Sequence, residues 1–215
     1  MPFEKQLVII CISIFIAVMT VLIVLNIFRA LRYKKNYKIH YAKMLYRLAI
    51  DYDYYLINNV LLPLGYTHVF RIDHILASNK YIFLIKDYKF TGHVEGKEND
   101  ESWTLTSKRK DKVRRELIDN PFNDNKEARR LIPMILGIPE TSSFFISIAL
   151  INDESCQRII EGKSKYEYLV PYRYFKNLIT NIEKRPEAAI DKEQLEDFVH
   201  KIAAYSKITP QKKQK

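Results

Sequence analysis

His68 to Ala77 and Tyr81 to Phe90 are two runs rich in β-forming residues, joined only by Ser78-Asn79-Lys80. A polar link this short between two such runs predicts an antiparallel hairpin, with Asn79 best suited to a left-handed backbone. The hairpin commits the chain to a sheet and raises a chemical question. Asp73 interrupts the first run, and Asp87 and Lys89 interrupt the second. A carboxylate buried without compensation is costly, so acids placed in this way have a partner, a metal or a chemical role.

Strand residues alternate faces, which puts Asp87 and Lys89 on one side. Asp73, on the neighbouring strand, is expected near them. Two carboxylates form a hard-ligand pair suited to Mg²⁺. Such a metal polarises a phosphoryl oxygen and acidifies a bound water, and a nearby ammonium stabilises growing phosphate charge. Asp73, Asp87 and Lys89 are therefore the candidate catalytic residues, with Asp73 and Asp87 as metal ligands. On spacing alone, the competing reading of Asp-x-Lys is a solvated hairpin edge.

The remaining chain reads as helix, strands, helix, strand, helix. A helix is expected over Tyr33 to about Leu48 and a first strand within Asp51 to Tyr66. A further strand is expected around Trp103-Thr104-Leu105. Asn120-Pro121-Phe122 opens a helix with an apolar stripe at Ala128, Leu131, Ile132, Ile135 and Leu136, where Pro133 is expected to kink or shorten it. Phe144 to Ile151 is almost continuously apolar and predicts a strand buried on both faces. One helix follows Tyr168 to Thr180, and another covers Asp191 to Tyr205. The pattern is that of an α/β (α+β) domain, a mixed sheet flanked by helices.

Leu7 to Phe28 contains no charged residue, and Arg29, Arg32, Lys34, Lys35 and Lys38 follow it. A helix crossing about 30 Å of hydrocarbon needs about 20 apolar residues. A single transmembrane anchor with a basic stop-transfer segment is therefore expected over 1–36. The positive flank predicts a cell (inner) membrane protein with residues 29–215 in the cytoplasm. The domain proper is expected over 37–205, and 206–215 as a disordered basic tail. Cys11 and Cys156 lie far apart and form no disulfide framework or zinc spacing. Net charge is +10. The run Lys108 to Glu116 contributes Lys108, Arg109, Lys110, Arg114 and Arg115 as candidate nucleic-acid contacts, against a solvated loop.

Several motifs together resemble the nuclease-related domain (NERD) family, a branch of the PD-(D/E)xK restriction-endonuclease-like fold. YYLINNVLLP is similar to the family's early strand, and RIDHILAS to its metal-binding strand, with Asp73-His74 as the Asp-His pair. YIFLIKDYKFTGHVEG is similar to the acid-x-Lys strand with its aromatic-x-Gly. Trp103, Asn120-Pro121 and FFISIALIND follow in the family's order. The resemblance covers about Tyr54 to Ile151 and implies a Mg²⁺-dependent nuclease acting on DNA. The chain departs from the pattern at three places. Residues 36–50 lack the family's early Glu, and Asp51 and Asp53 lie just beyond. Lys86 occupies the slot of the acid after Ile, with Asp87-Tyr88-Lys89 one residue late. Asp124 or Asn125 stands near the place of a Gln. A one-residue shift turns a strand's side chains to the other face, so either a bulge restores the geometry or the site is degraded.

Three readings follow: a membrane-anchored Mg²⁺-dependent nuclease, a catalytically degraded module that binds nucleic acid or a protein partner, and a basic surface resting on anionic lipid.

Overall fold

The computed structural model describes residues 3–35, 37–64, 68–109, 112–152, 156–161 and 164–206; side chains are described throughout these ranges except at residues 3–11, 29, 30, 32–35, 109 and 156–161. The chain divides into two units, Met1–His40 and Tyr41–Lys215. The first unit consists largely of helix α1 (Phe3–Lys35). Its described apolar side chains, from Ile12 to Phe28, are exposed. The expectation of a transmembrane anchor is corrected here. Among the described residues, no helix is long and apolar enough to cross a membrane. The single-pass placement and the orientation inferred from its basic flank go with the anchor.

Helix α2 (Tyr37–Tyr52) spans the boundary at Tyr41, and its part in the second unit buries Tyr41, Leu45, Leu48 and Ala49. Tyr41 stacks on Tyr172 with ring centroids 5.0 Å apart. Strands β1 (Tyr55–Leu64), β2 (His68–Ala77) and β3 (Ile82–Tyr88) then form an antiparallel meander. The expected hairpin is present. Ser78 closes it by accepting from the Tyr81 amide at 2.9 Å and donating its own amide to the Tyr81 carbonyl at 2.8 Å.

Strands β4 (Gly92–Lys97), β5 (Ser102–Arg109) and β6 (Lys112–Asp119) start a second sheet. The described part of the basic run is therefore strand, not loop: it belongs to the antiparallel β5–β6 pair, with Lys108 opposite Val113 and Thr106 opposite Arg115. Helix α3 (Pro121–Leu136) follows. Asn120 caps it by accepting from the Phe122 amide at 2.9 Å, and Pro121 supplies a first position that needs no amide donor. Pro133 does not end the helix early. It is buried in the last turn, and the helix stops at Gly137, whose left-handed φ of 71° supplies the C-terminal cap.

Strand β7 (Phe145–Ile151) is buried along its whole length and pairs parallel with β3, as a strand covered on both faces should. β8 (Cys156–Glu161) joins β4 in parallel, and β9 (Glu167–Pro171) joins β7 in parallel. A 3-10 turn (Tyr172–Tyr174) leads into α4 (Phe175–Glu183), and α5 (Lys192–Ser206) ends the described fold. The sheets are thus β1-β2-β3-β7-β9 and β6-β5-β4-β8. The main core, including Ile75, Ala77, Ile82, Leu84 and Phe145, lies under α3 and α5 through Leu131, Ile132, Leu195, Phe198 and Ile202. Of the tail expected over 206–215, Ser206 is the last residue of α5, and 207–215 lie outside the described residues.

Candidate functional site

The β1–β2 ladder contains the irregularity that shapes the site. It runs from Tyr55 opposite Ala77 to Leu64 opposite His68 and omits only Asn59 and Asp73. Asn59 has a left-handed φ of 55°, which an Asn side chain tolerates better than most. The break changes which residues point inward. Ile57 is buried, Asn58 and Asn59 are both exposed, and Val60 and Leu62 are buried. On β2, Phe70 and Ile72 share one core cluster with Ile75 and Ala77, although the two pairs differ in parity.

Asp73 stands at this switch. Its Oδ1 lies 3.1 Å from Arg71 Nη2, and Arg71 Nη2 also donates to Asn59 Oδ1 at 2.6 Å. The β2–β3 ladder is paired from Ala77 opposite Ile82 to His74 opposite Ile85. Just beyond it, Asp73 Oδ2 accepts the Asp87 amide at 3.0 Å. A buried side chain thus takes a place that a backbone carbonyl would otherwise fill.

The Asp87 carboxylate points elsewhere. Its Oδ2 lies 3.1 Å from His74 Nε2, and His74 Nδ1 lies 2.6 Å from Asn58 Oδ1. β3 pairs with β7 in unbroken register from Ile82 opposite Phe145 to Tyr88 opposite Ile151, so it contains no bulge. Strict alternation therefore holds in β3. Asp87 shares its face with Phe83 and Ile85, whereas Lys86 and Tyr88 share theirs with the core residues Ile82 and Leu84 under α3.

On that second face, Lys86 Nζ lies 2.7 Å from Asp124 Oδ2 in the first turn of α3. The ammonium also sits 4.9 Å from the Phe70 ring centroid and 6.0 Å from that of Tyr88, within cation–π range. The Tyr88 hydroxyl donates to Asp124. Burial first, and the neighbouring Asp124 charge second, push the Tyr88 phenol well above its usual range, with a further contribution from Asp73. Tyr88 is therefore a neutral donor at ordinary pH.

The sequence-derived candidates are thus distributed as follows. Asp73 and Asp87 meet through an amide-to-carboxylate bond, while the Asp87 carboxyl turns to His74. Lys89 is exposed, immediately after the last residue of β3. Lys108, Arg114 and Arg115 are exposed on the β5–β6 hairpin; the Arg109 side chain and Lys110 lie outside the described residues. Asp51 is exposed, 3.8 Å from Lys176, and Asp53 forms a left-handed turn with φ 55°. Asn125 is buried; its Nδ2 donates to the Tyr168 carbonyl at 3.4 Å and its own carbonyl accepts from Ser147 Oγ at 3.0 Å. The Lys86–Tyr88–Asp124 cluster and the Arg71, Asn58 and Asn59 contacts were not singled out from the sequence. The adjacent asparagines in an otherwise apolar β1 were the available signal.

The donor set fits a divalent cation poorly. Mg²⁺ takes oxygen ligands, usually one or two carboxylates, and each acid here already has a protein partner. Here Asp73 is engaged by Arg71 and an amide, Asp87 by His74, and Asp124 by Lys86. Among the described residues, no three His, Cys, Asp or Glu side chains form a group able to hold a metal.

The comparisons with known proteins agree with this architecture at the level of family. The Nuclease-related domain (NERD) family matches residues 36–151. This chain belongs to that family. An uncharacterized protein of Bacillus anthracis is 23% identical over 150 residues, covering 70% of this chain and 66% of the relative, slightly under two thirds of its length. No solved structure matches. The motifs of the family have visible structural work in this chain. Trp103 is buried, its Nε1 donates to the Lys97 carbonyl at 2.8 Å, and its ring meets Phe122 edge-on at 5.7 Å. Asn120 donates to the Lys97, Glu98 and Asp100 carbonyls at 3.3, 3.1 and 2.6 Å, tying the β4–β5 turn to the start of α3.

Proposed function

We propose that this chain is a NERD-family module that binds nucleic acid through its basic hairpin and does not cleave it by a metal-dependent route. One observation supports this reading most directly. Lys86 and Tyr88, rather than an acid and a lysine, stand on the α3 face of β3, and Asp87 is turned to His74 on the other. The surface that would hold phosphate is the β5–β6 hairpin, where Lys108, Lys112, Arg114 and Arg115 are exposed. Arg109 and Lys110 belong to the same run, and the whole chain has a net charge of +10. Phosphate contacts of this kind are sequence-tolerant and release counterions.

The test is binding of the full chain to labelled duplex DNA, and separately to single-stranded DNA and RNA, over a range of salt. Affinity is expected to fall with salt and to be indifferent to EDTA and to Asp87→Asn. Arg114→Ala with Arg115→Ala is expected to reduce the logarithmic salt slope by about 2, close to 0.9 per lost contact on duplex DNA. Divalent-metal-dependent cleavage abolished by Asp87→Asn would reject the proposal. It would favour the second reading, a Mg²⁺-dependent nuclease using Asp73, Asp87 and Lys89. The Asp87 amide bond to Asp73 supports that alternative, because it brings the two acidic residues side by side.

A further inference from the structure

A cleft separate from the basic hairpin lies along the β1 margin of the five-stranded sheet; at its Asn58 end it adjoins the His74–Asp87 contact. β1 is an edge strand of the five-stranded sheet, and α5 packs beside it. Between them lies a cavity of about 600 Å³, with Tyr55–Asn58 on one side and Glu196, Val199, His200 and Ala203 on the other. The α5 residues follow helical spacing, so they form a single stripe facing the strand.

An edge strand presents backbone amides and carbonyls outward. Among the described residues, no backbone bond reaches Tyr55–Asn58 from outside the β1–β2 ladder. The remainder of this edge is unsuited to pairing. Asn59 is left-handed, and Pro63 has no amide donor. The competent stretch is thus confined to the part of β1 beside α5. An edge strand next to a helical stripe is the arrangement by which extended peptides dock as an added strand. Four residues of extended chain span about 13 Å at about 3.3 Å each.

We infer that this cleft binds an extended peptide of a partner protein, which adds as a strand to β1 at Tyr55–Asn58. Small apolar side chains lie against Val199 and Ala203, and a basic side chain faces Glu196. Glu196 is the only carboxylate lining the cleft among the described residues, and its ion pair with Lys192 is long, at 4.0 Å. A second copy of the chain is an alternative occupant that the oligomeric state of Ala203→Arg distinguishes.

The experiment pans a displayed library of random eight-residue peptides against the full chain and measures the enriched peptides on three variants. Ala203→Arg fills the cleft, Glu196→Arg reverses its charge, and Leu56→Pro removes a β1 amide. Enrichment of peptides with a basic position is expected, with affinity lost at least tenfold in Ala203→Arg and Glu196→Arg and slowed amide exchange at residues 55–58 on binding. Leu56→Pro is read together with its unfolding midpoint, and the two α5 variants decide the matter should it fail to fold. No enrichment overturns the proposal, as do peptides that bind Ala203→Arg as well as they bind the unaltered chain. A chain ending at Ser206 that alone enriches peptides, or a dimer abolished by Ala203→Arg, gives the cleft to the protein itself and also overturns it. DNA binding is expected to be unchanged in Ala203→Arg, which separates this result from that of the proposed function.

Discussion

Asp73 and Asp87 show how a buried acid acquires its partners from a distance in sequence. Asp73 accepts an amide that lies 14 positions away, and Asp87 meets an imidazole 13 positions away. Neither contact follows from the local pattern Asp-x-Lys. His74→Ala removes one charge-assisted bond from Asp87 and is expected to cost about 1.5–3 kcal/mol, measured as a lower urea midpoint. Tyr88 gives a pH-dependent counterpart. Its phenol is held above the unfolded value by burial and by Asp124, as Tyr54 and Tyr81 are held above theirs mainly by burial. The folded state therefore retains these protons where the unfolded state releases them. Stability is fully present below about pH 10 and declines as pH rises beyond it. Urea unfolding between pH 9 and 11 should show that decline, and Tyr88→Phe should make it shallower.

At the level of elements, irregularities rather than regular strands place the chemistry. The paired omission of Asn59 and Asp73 keeps the β1–β2 register while changing the inward set on both strands. β3 has no such break, so its shifted acid stays on the face opposite Lys86. The β4–β5 pair depends on one small residue. A Cβ on Gly96 would lie 2.1 Å from Trp103 Cδ1, and that ring is buried and hydrogen-bonded. Gly96→Ala is therefore expected to destabilise by about 1–3 kcal/mol through overpacking. Trp103 is the single tryptophan, so its fluorescence will report both the unfolding midpoint and the displaced ring.

Across the whole second unit, the two sheets meet where β3 and β7 end. Asn152 bridges them: its Oδ1 accepts the Phe90 amide and its Nδ2 donates to the Phe90 carbonyl, both at 2.7 Å. A side chain here acts as the backbone partner that neither sheet provides. Asn152→Ala leaves both Phe90 groups without that partner and is expected to cost about 1–3 kcal/mol. Hydrogen exchange should then show the Phe90 amide opening together with β4, ahead of β2 and β3. On the opposite margin, no described residue pairs with the edge of β1 at Tyr55–Asn58. The molecule thus presents its basic hairpin and its peptide cleft on separate elements.

The hairpin, the buried β7, the cap at Asn120 and the run of family motifs were legible because each depends on near neighbours: short links, apolar runs and side chains reaching two residues along the chain. Local sequence cannot specify which face Asp87 takes relative to Asp73, because that depends on where a ladder breaks, and the break lies in β1 and β2 rather than in the strand bearing Asp87. The pairing of Lys86 and Tyr88 with Asp124 likewise required α3 to pack over β3. Sequence composed the strands and their motifs. Tertiary packing decided which polar groups meet, since buried charges settle on the nearest available partner in space.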